Sequence, residues 1–577
     1  MTPAVSGAGP AWMRHRWAEP LLVAAVLAVA LLLAHGSALD AGWRWDDGGL
    51  LGLALDFSPW QYFADPAVMR LHSPANVAPW NLLFYDINLA LFGMNVAGHY
   101  AHLLLLVGLG AGLLYAVLRQ WLALPAALAG ALALVLGKPL VYVAGGLMHG
   151  HYATGLVLAL LSVWAWVHHL RGASRGWWAV SALAYLLATT CKEIYVPLVL
   201  VLPLLPVAGL RRRALALVPH VLVAACYVLW RQAVLGRLIG GYGGAAPEPA
   251  LVWQQLSGVP LLLAPQGWAG WAGMAALAAL VIRAALQRRF RALPSLAIAA
   301  VVGLPLLALV GFPGIHQADR YLFAPWVAVC ICLAVAWPRR LRAGAAAAAL
   351  ALLVLTLALG LAQERRRLHD DWAWWDTLSA FALAADVQRQ ALYIGPDQGF
   401  RRLMFGQLRY VADRLQGTAD EAGLEIVDQS GYRLRQVRAA GLSLFEYADG
   451  RMVQMGQERL QQLFADMDAP SAEVALQVTL TLRAGVLHWE FGPHDGPYVF
   501  NLRNHPAIQG RNNGVLLPRH GAFAWPQGRR AEFAFCHDAA APGSMACSPA
   551  LTLELPEGQA VSWQGRGRSS PPAGAQP

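Results

Sequence analysis

Trp43-Arg44-Trp45-Asp46-Asp47-Gly48-Gly49 follows an apolar run over residues 20–37, so two adjacent carboxylates stand where a first helix would leave the hydrocarbon. An ionised aspartate within a bilayer is costly, and a carboxylate pair at its edge is a functional candidate by default. The same two residues also suit a helix start, with Asp46 or Asp47 capping a segment over 49–57. The two readings separate on whether the rest of the chain brings other polar groups to the same side.

The chain has 577 residues, of which 57% are hydrophobic and 13% charged, and its mean hydropathy is +0.45. That composition excludes an ordinary soluble enzyme and predicts a polytopic membrane protein. The apolar bias is confined to residues 20 to about 363, so a membrane domain over 1–363 is expected to precede a soluble domain over 364–564 and a Gly/Ser/Pro-rich disordered tail over 565–577. The net charge of +10 is spread in short clusters between apolar runs, which fits membrane orientation and leaves no continuous basic stripe for nucleic acid. Of six cysteines, Cys191, Cys226, Cys330 and Cys332 lie in or beside apolar runs and read as small buried hydrophobes. Cys536 and Cys547 flank a Pro/Gly-containing turn and could close a disulfide in an extracytoplasmic domain. Arg14 and Arg16 precede the first run and no small-residue cleavage site follows it, so the run reads as an uncleaved helix.

A span needs about 20 predominantly apolar residues. Eleven candidates emerge: 20–37, 98–118, 123–143, 151–170, 176–190, 194–209, 214–235, 268–286, 294–311, 321–337 and 343–363. With the N-terminus cytoplasmic, the inner loops hold Arg119, Arg171 and Arg175, Arg211 to Arg213, Arg288, Arg289 and Arg291, and Arg339, Arg340 and Arg342. Every one is basic, as the positive-inside rule asks. Arg365-Arg366-Arg367, after the last span, falls on the outer side against the rule, and Asp370-Asp371 is expected to hold it.

The opposite loops carry the chemistry: Asp46 and Asp47 in a first loop over 38–97, then His149-Gly150-His151, Lys192-Glu193, Arg231, and His316 to Tyr321. Polar groups gathered on one side favour a reaction centre at the outer face over a pore, which places them along several spans at mid-depth. A carboxylate beside cations suits transfer of a group from a lipid phosphate: the acid takes a proton from an acceptor hydroxyl and the cations stabilise the departing phosphate. Lys192, Arg231 and Arg320 are the candidate cations, against the alternatives of snorkelling to headgroups, a local Lys192–Glu193 pair, and Arg320-Tyr321 as an interfacial anchor. His149 and His151 point the same way if their loop is extended, so with Asp46 they are candidates for a divalent metal, or for phosphate donors. His72 and Asn76 are weaker candidates, and His168-His169 lie on the inner side. Within the first loop, 49–63 and 79–95 read as interfacial helices anchored by Trp60, Tyr62, Trp80 and Phe84.

The order of motifs resembles a known family. An acidic pair behind the first span is followed by Pro79-Trp80-Asn81, Ala90-Leu91-Phe92-Gly93-Met94-Asn95, Gly98-His99-Tyr100 and His102-Leu103. Lys138-Pro139-Leu140-Val141-Tyr142-Val143, Cys191-Lys192-Glu193 with Pro197, and Asp319-Arg320-Tyr321-Leu322 come next. Over residues 20–365 this is similar to the GT-C class of membrane glycosyltransferases, among them the bacterial relatives of protein O-mannosyltransferases and the transmembrane TPR-repeat O-mannosyltransferases. The resemblance implies a polyprenyl-phosphate sugar donor, a periplasmic acceptor, inversion at the anomeric carbon and a first-loop aspartate as general base. Carried over, the base is Asp46 or Asp47, with Asp46 preferred, and Lys192, Glu193 and Arg320 match the later motifs, with Asp319 and Tyr321 beside them. It places the chain in a bacterial inner membrane with the C-terminal domain periplasmic. Three departures stand out: Ala78 replaces the family's arginine before Pro79, the segment over 138–143 lacks the family's histidines and acid, and no 34-residue TPR period follows residue 365.

Beyond the spans, 370–394 reads as a Trp-rich amphipathic helix, 398–417 and 456–466 as helices, and 474–483 with 485–492 as paired strands. With further strands over 533–536 and 551–555, the expected domain is α+β or β-sandwich-like. Trp489, Tyr498, His505 and Trp525 form either a sugar-binding face or part of a core. Two other functions compete with the enzyme: a transporter or flippase for a lipid-linked glycan, which calls for more intramembrane charge than the sequence holds, and a noncatalytic scaffold for envelope polysaccharide assembly, in which the aspartates are dispensable.

Overall fold

The computed structural model describes residues 17–238 except 74, 206 and 237, isolated positions between 268 and 283, and residues 319–567 with gaps at 339–341, 396–398, 418–423, 428–430, 469–473, 484–485, 496–497, 503–514, 518, 525–528 and 539–544. The expected spans over 268–286 and 294–311 and the residues His316 and Gln317 lie outside the described residues.

Ala18–His35 (α1) is a continuous Ala/Leu/Val helix with no residue to break it. The first loop then folds as Asp47–Asp56 (α2), Pro59–Ala64 (α3), Pro66–His72 (α4) and Trp80–Phe92 (α5). Prolines start α3 and α4 at the first helical position, where a missing N–H costs nothing. Val96–Leu118 (α6), Leu124–Leu136 (α7), Lys138–Ala144 (α8), Gly150–Leu170 (α9), Arg175–Cys191 (α10), Leu198–Val201 (α11) and Leu210–Leu235 (α12) follow, then Phe323–Ala336 (α13) and Ala343–Ala384 (α14).

Among the described residues five helices are long and apolar enough to cross a membrane, or six if the α7–α8 pair, bent by 57°, is one span. Two of the expected spans contain backbone breaks to which hydropathy is blind. The bend falls at Gly137, where a Cβ would lie 1.9 Å from Trp326 Nε1, so only glycine lets α13 approach. The segment over 194–209 is cut into short pieces around Pro197 and Pro203. The last expected span continues unbroken through Arg365 to Ala384 in a helix of 42 residues, so the boundary drawn at 363/364 falls inside it and the Trp-rich segment ends at 384 instead of 394. Arg367 is paired with Glu364, and not with Asp370-Asp371: one turn of the same helix brings its Nε within 2.8 Å of Glu364 Oε1. Of the aromatic anchors, Trp60 is exposed, whereas Tyr62 and Phe84 are buried in the core and Trp80 Nε1–H donates to Thr190 at 2.9 Å. Cys226 is exposed on α12, while Cys191 and Cys330 are buried.

After α14 comes a four-stranded mixed sheet in the order β2-β1-β3-β4, built from Gln390–Tyr393 (β1), Glu425–Val427 (β2), Ser443–Ala448 (β3) and Arg451–Gln454 (β4). Gly399–Gln416 (α15), Gly431–Ala440 (α16) and Gln457–Asp468 (α17) accompany it. Antiparallel strands from Val474–Arg483 to Ala560–Gly567 then form two further sheets around Leu480, Leu487, Phe491, Tyr498 and Phe535. In place of the single α+β or β-sandwich-like domain expected, the C-terminal part holds two units in series, a small α/β sheet unit and a pair of packed antiparallel sheets. Cys536 and Cys547, directly opposed in register, are disulfide-bonded. Gly565, placed at the start of a tail, instead belongs to the last strand. Tyr498 is fully buried and Trp489 nearly so, both as core; His505 and Trp525 lie outside the described residues.

Candidate functional site

The chain turns sharply between Arg44 and Asp47. Trp45 has φ +46°, a left-handed conformation that costs a non-glycine residue about 1–3 kcal/mol and needs support. Its support comes from both sides: the indole stacks on Tyr142 with ring centroids 5.8 Å apart, and its Nε1–H donates to Asp371 at 3.2 Å. This turn sends the two aspartates in different directions. Asp47 is fully buried, accepting the backbone N–H of Arg44 at 2.7 Å and the hydroxyl of Tyr85. Burial raises its carboxyl from 3.8 to about 7, outweighing those two hydrogen bonds. Asp46 makes no side-chain cap bond to α2. It lines a polar cavity of about 60 Å³.

That cavity also receives His72, Asn76, Asn81, His149, His151, Lys192 and Arg320, from loops separated by more than two hundred residues. Burial raises the carboxyl of Asp46, an effect opposed by the charge of Arg320. Lys192, one residue past α10, is buried, and desolvation lowers it to about 8 against the pull of Glu193. Its ammonium stands 5.6 Å from the Tyr152 ring centroid and 4.0 Å from Glu193 Oε2. Arg320 enters on the 3₁₀ turn Asp319–Leu322 that opens α13. Asp319 and Tyr321 share this turn, and their side chains lie outside the description. Asn81 Nδ2–H donates to His72 Nε2 at 3.1 Å, and burial with the nearby Lys192 charge holds His72 near 4, hence neutral.

Two candidates go elsewhere. Arg231 does not line the cavity; it bonds Glu193 Oε1 at 2.6 Å and the carbonyls of Ala75 and Leu238 at 3.0 Å each. Glu193 also accepts the Val77 N–H at 2.9 Å, so this pair ties α12 to the first loop beneath the cavity floor. The metal reading of His149, His151 and Asp46 is not met: among the described residues no group of three His, Cys, Asp or Glu could hold a metal ion. His149 and His151 reach the cavity from the 3₁₀ turn Leu147–His149 and the first turn of α9, in place of an extended loop. His149 Nδ1–H donates to the Tyr142 carbonyl at 2.8 Å, leaving Nε2 buried without a partner. Ala78, where the resemblance calls for arginine, lines the same cavity.

Tyr85, Asn81 and Tyr152 were missed in the sequence. A signal was available: Asn81, Tyr85 and Asn88 repeat at helical spacing in α5 and are all buried, a polar stripe within an apolar helix. Beside the cavity, across the Tyr152 and Phe323 rings 6.5 Å apart, lies an apolar groove of about 160 Å³. Leu114, Leu156, Leu160, Tyr195, Leu198 and Ile331 are among its walls. One carboxylate and two cations thus meet a polar chamber at the end of a greasy slot.

No protein-family model and no curated protein matches the chain. Among solved structures, it is similar to ArnT from Cupriavidus metallidurans bound to undecaprenyl phosphate, with 15% identity and a TM-score of 0.45 over 74% of this chain and 88% of that one. The apo form of that protein gives 15% identity and 0.44, over 70% and 85% of the two chains. The archaeal oligosaccharyltransferase AglB from Archaeoglobus fulgidus, in complex with an inhibitory peptide and a dolichol-phosphate, gives 12% identity and 0.43, over 88% and 76%.

Proposed function

We propose that this chain is a membrane glycosyltransferase that moves a sugar from a polyprenyl-phosphate donor to an acceptor on the Asp46 side of the membrane, which we take to be the periplasmic side. The observation that carries this reading is the meeting of Asp46, Lys192 and Arg320 in one cavity next to an apolar groove. A polyprenyl phosphate has the matching shape, a long apolar chain ending in an anion. With the chain in the groove, its phosphate comes to Lys192 and Arg320.

Asp46 then takes the proton of the acceptor hydroxyl as that oxygen attacks the anomeric carbon. The bond from that carbon to the phosphate oxygen breaks, the electron pair leaves with the lipid phosphate, and the two cations stabilise the growing charge. Attack from the face opposite the phosphate gives inversion. Asp47 acts from behind, fixing α2 against Tyr85 so that Asp46 keeps its place.

The test is release of polyprenyl phosphate from a polyprenyl-phosphosugar by the purified protein, paired with glycan profiles of envelope lipids and proteins from cells. Asp46→Asn is expected to lower turnover by about 10²–10⁴-fold, the usual worth of a positioned base, with insertion and protein level unchanged. Full activity in that variant would overturn the reading.

A further inference from the structure

A second cavity, of about 270 Å³, opens between the end of α1 and the middle of α14. Ser37, Arg44, Arg365, Trp372 and Asp376 are among its walls. The single carboxylate here is already committed: Asp376 takes Arg44 Nε at 2.7 Å and a terminal nitrogen of Arg44 at 2.6 Å. Arg365 bonds only the Ser37 hydroxyl, at 3.2 Å, and no carboxylate stands within ion-pair distance of it among the described residues. Trp372 lines the cavity with its ring, its Nε1–H being closed off from it. The cavity therefore holds an uncompensated guanidinium, which is met by an anion with several acceptor oxygens.

The surroundings identify the carrier of that anion. α1 and α14 both pack on α7. On the outside of this trio Leu32 and Leu33 of α1, and Leu352, Leu355 and Leu359 of α14, are exposed. Leu33 stands one turn before Ser37, and Leu359 less than two turns before Arg365, so lipid-facing leucines run up to the mouth of the cavity. We propose that this cavity binds the phosphate headgroup of an anionic membrane lipid from the leaflet on the Asp46 side, with Arg365 as its ligand and its acyl chains along α1 and α14. The site accounts for a basic cluster that the positive-inside rule puts on the wrong side: Arg367 is paired with Glu364, which it shares with Lys138, Arg366 is exposed, and Arg365 takes the lipid. It is independent of the chemistry proposed for Asp46.

The experiment is native mass spectrometry of the full chain in detergent with equal amounts of phosphatidylglycerol and phosphatidylcholine. Wild type is expected to retain one phosphatidylglycerol in preference, and Arg365→Ala to weaken that retention about tenfold or more. Arg365→Lys, which keeps the charge but loses the planar fork, should weaken it severalfold and carries the test alone if the alanine variant fails to insert. Arg366→Ala, with the same change in charge, and Asp46→Asn should both retain the lipid. Equal retention of the two lipids, an equal loss in Arg366→Ala, or displacement by millimolar inorganic phosphate would overturn the proposal, the last by showing a free-phosphate site.

Discussion

Asp46 and Asp47 differ by one position and have different environments. Asp47 is buried with two donors on it, so its raised pKa describes folding more than turnover. A carboxyl lifted from 3.8 to about 7 in the folded state binds its proton more tightly there than in the unfolded chain. Its contribution to stability is full below 3.8 and is lost as pH rises through about 7. Thermal unfolding should therefore show wild type losing stability between pH 4 and pH 7, and Asp47→Asn flattening that slope. Lys192 predicts an effect on rate. It binds phosphate only as the ammonium, so with its pKa near 8 donor turnover should fall as pH rises through that value. In Lys192→Arg, whose cation persists, this alkaline limb should disappear even if the maximum rate drops. The acid limb belongs to Asp46, whose carboxyl is raised by burial, and should sit above the ordinary aspartate range.

At the scale of elements, α2 is a platform whose underside meets α15 of the C-terminal part. A Cβ on Gly48 would lie 1.9 Å from the Met404 carbonyl of α15, a backbone atom that cannot swing aside. Met404 Sδ also accepts the Gly49 N–H at 3.3 Å. Gly48→Ala should therefore push α15 off α2 and lower stability by about 1–3 kcal/mol, with loss of turnover although it touches nothing in the cavity. Melting temperature and donor turnover, measured together, check this. The Arg44–Asp376 pair is the second clamp, with Arg44 Nη1–H also donating to the Gly145 carbonyl at 2.8 Å. Asp376→Asn leaves a buried guanidinium uncompensated, and a cost of about 3–5 kcal/mol is expected in denaturation. Arg44→Met with Asp376→Leu should recover most of that loss.

Across the whole molecule, the sequence disclosed what depends on one local stretch. Charge alternation and the position of Asp46, Lys192 and Arg320 at the ends of apolar runs predicted that the three share one side, and the three line one cavity. Arg231 followed the same rule and went elsewhere, because its partner Glu193 sits 38 positions away and no local pattern reveals that pair. His149 and His151 both line that cavity too, from a 3₁₀ turn and a helix start and not from the extended loop that their spacing suggested. The clamp between Arg44 and Asp376 spans 332 positions and was invisible for the same reason as the contact of Gly48 with Met404. Those two contacts make α14 and α15 part of the site's foundation. The unbroken α14 gives that foundation a metric. Glu364 is fixed to Lys138 at 3.0 Å and Asp376 to Arg44, both on one rod. Inserting a single residue between them rotates one anchor by about 100° and lifts it about 1.5 Å, while inserting seven nearly restores the angle but adds about 10 Å. Neither length nor angle can be corrected alone, so α14 acts as a keyed spacer, and no insertion between residues 364 and 376 should be silent.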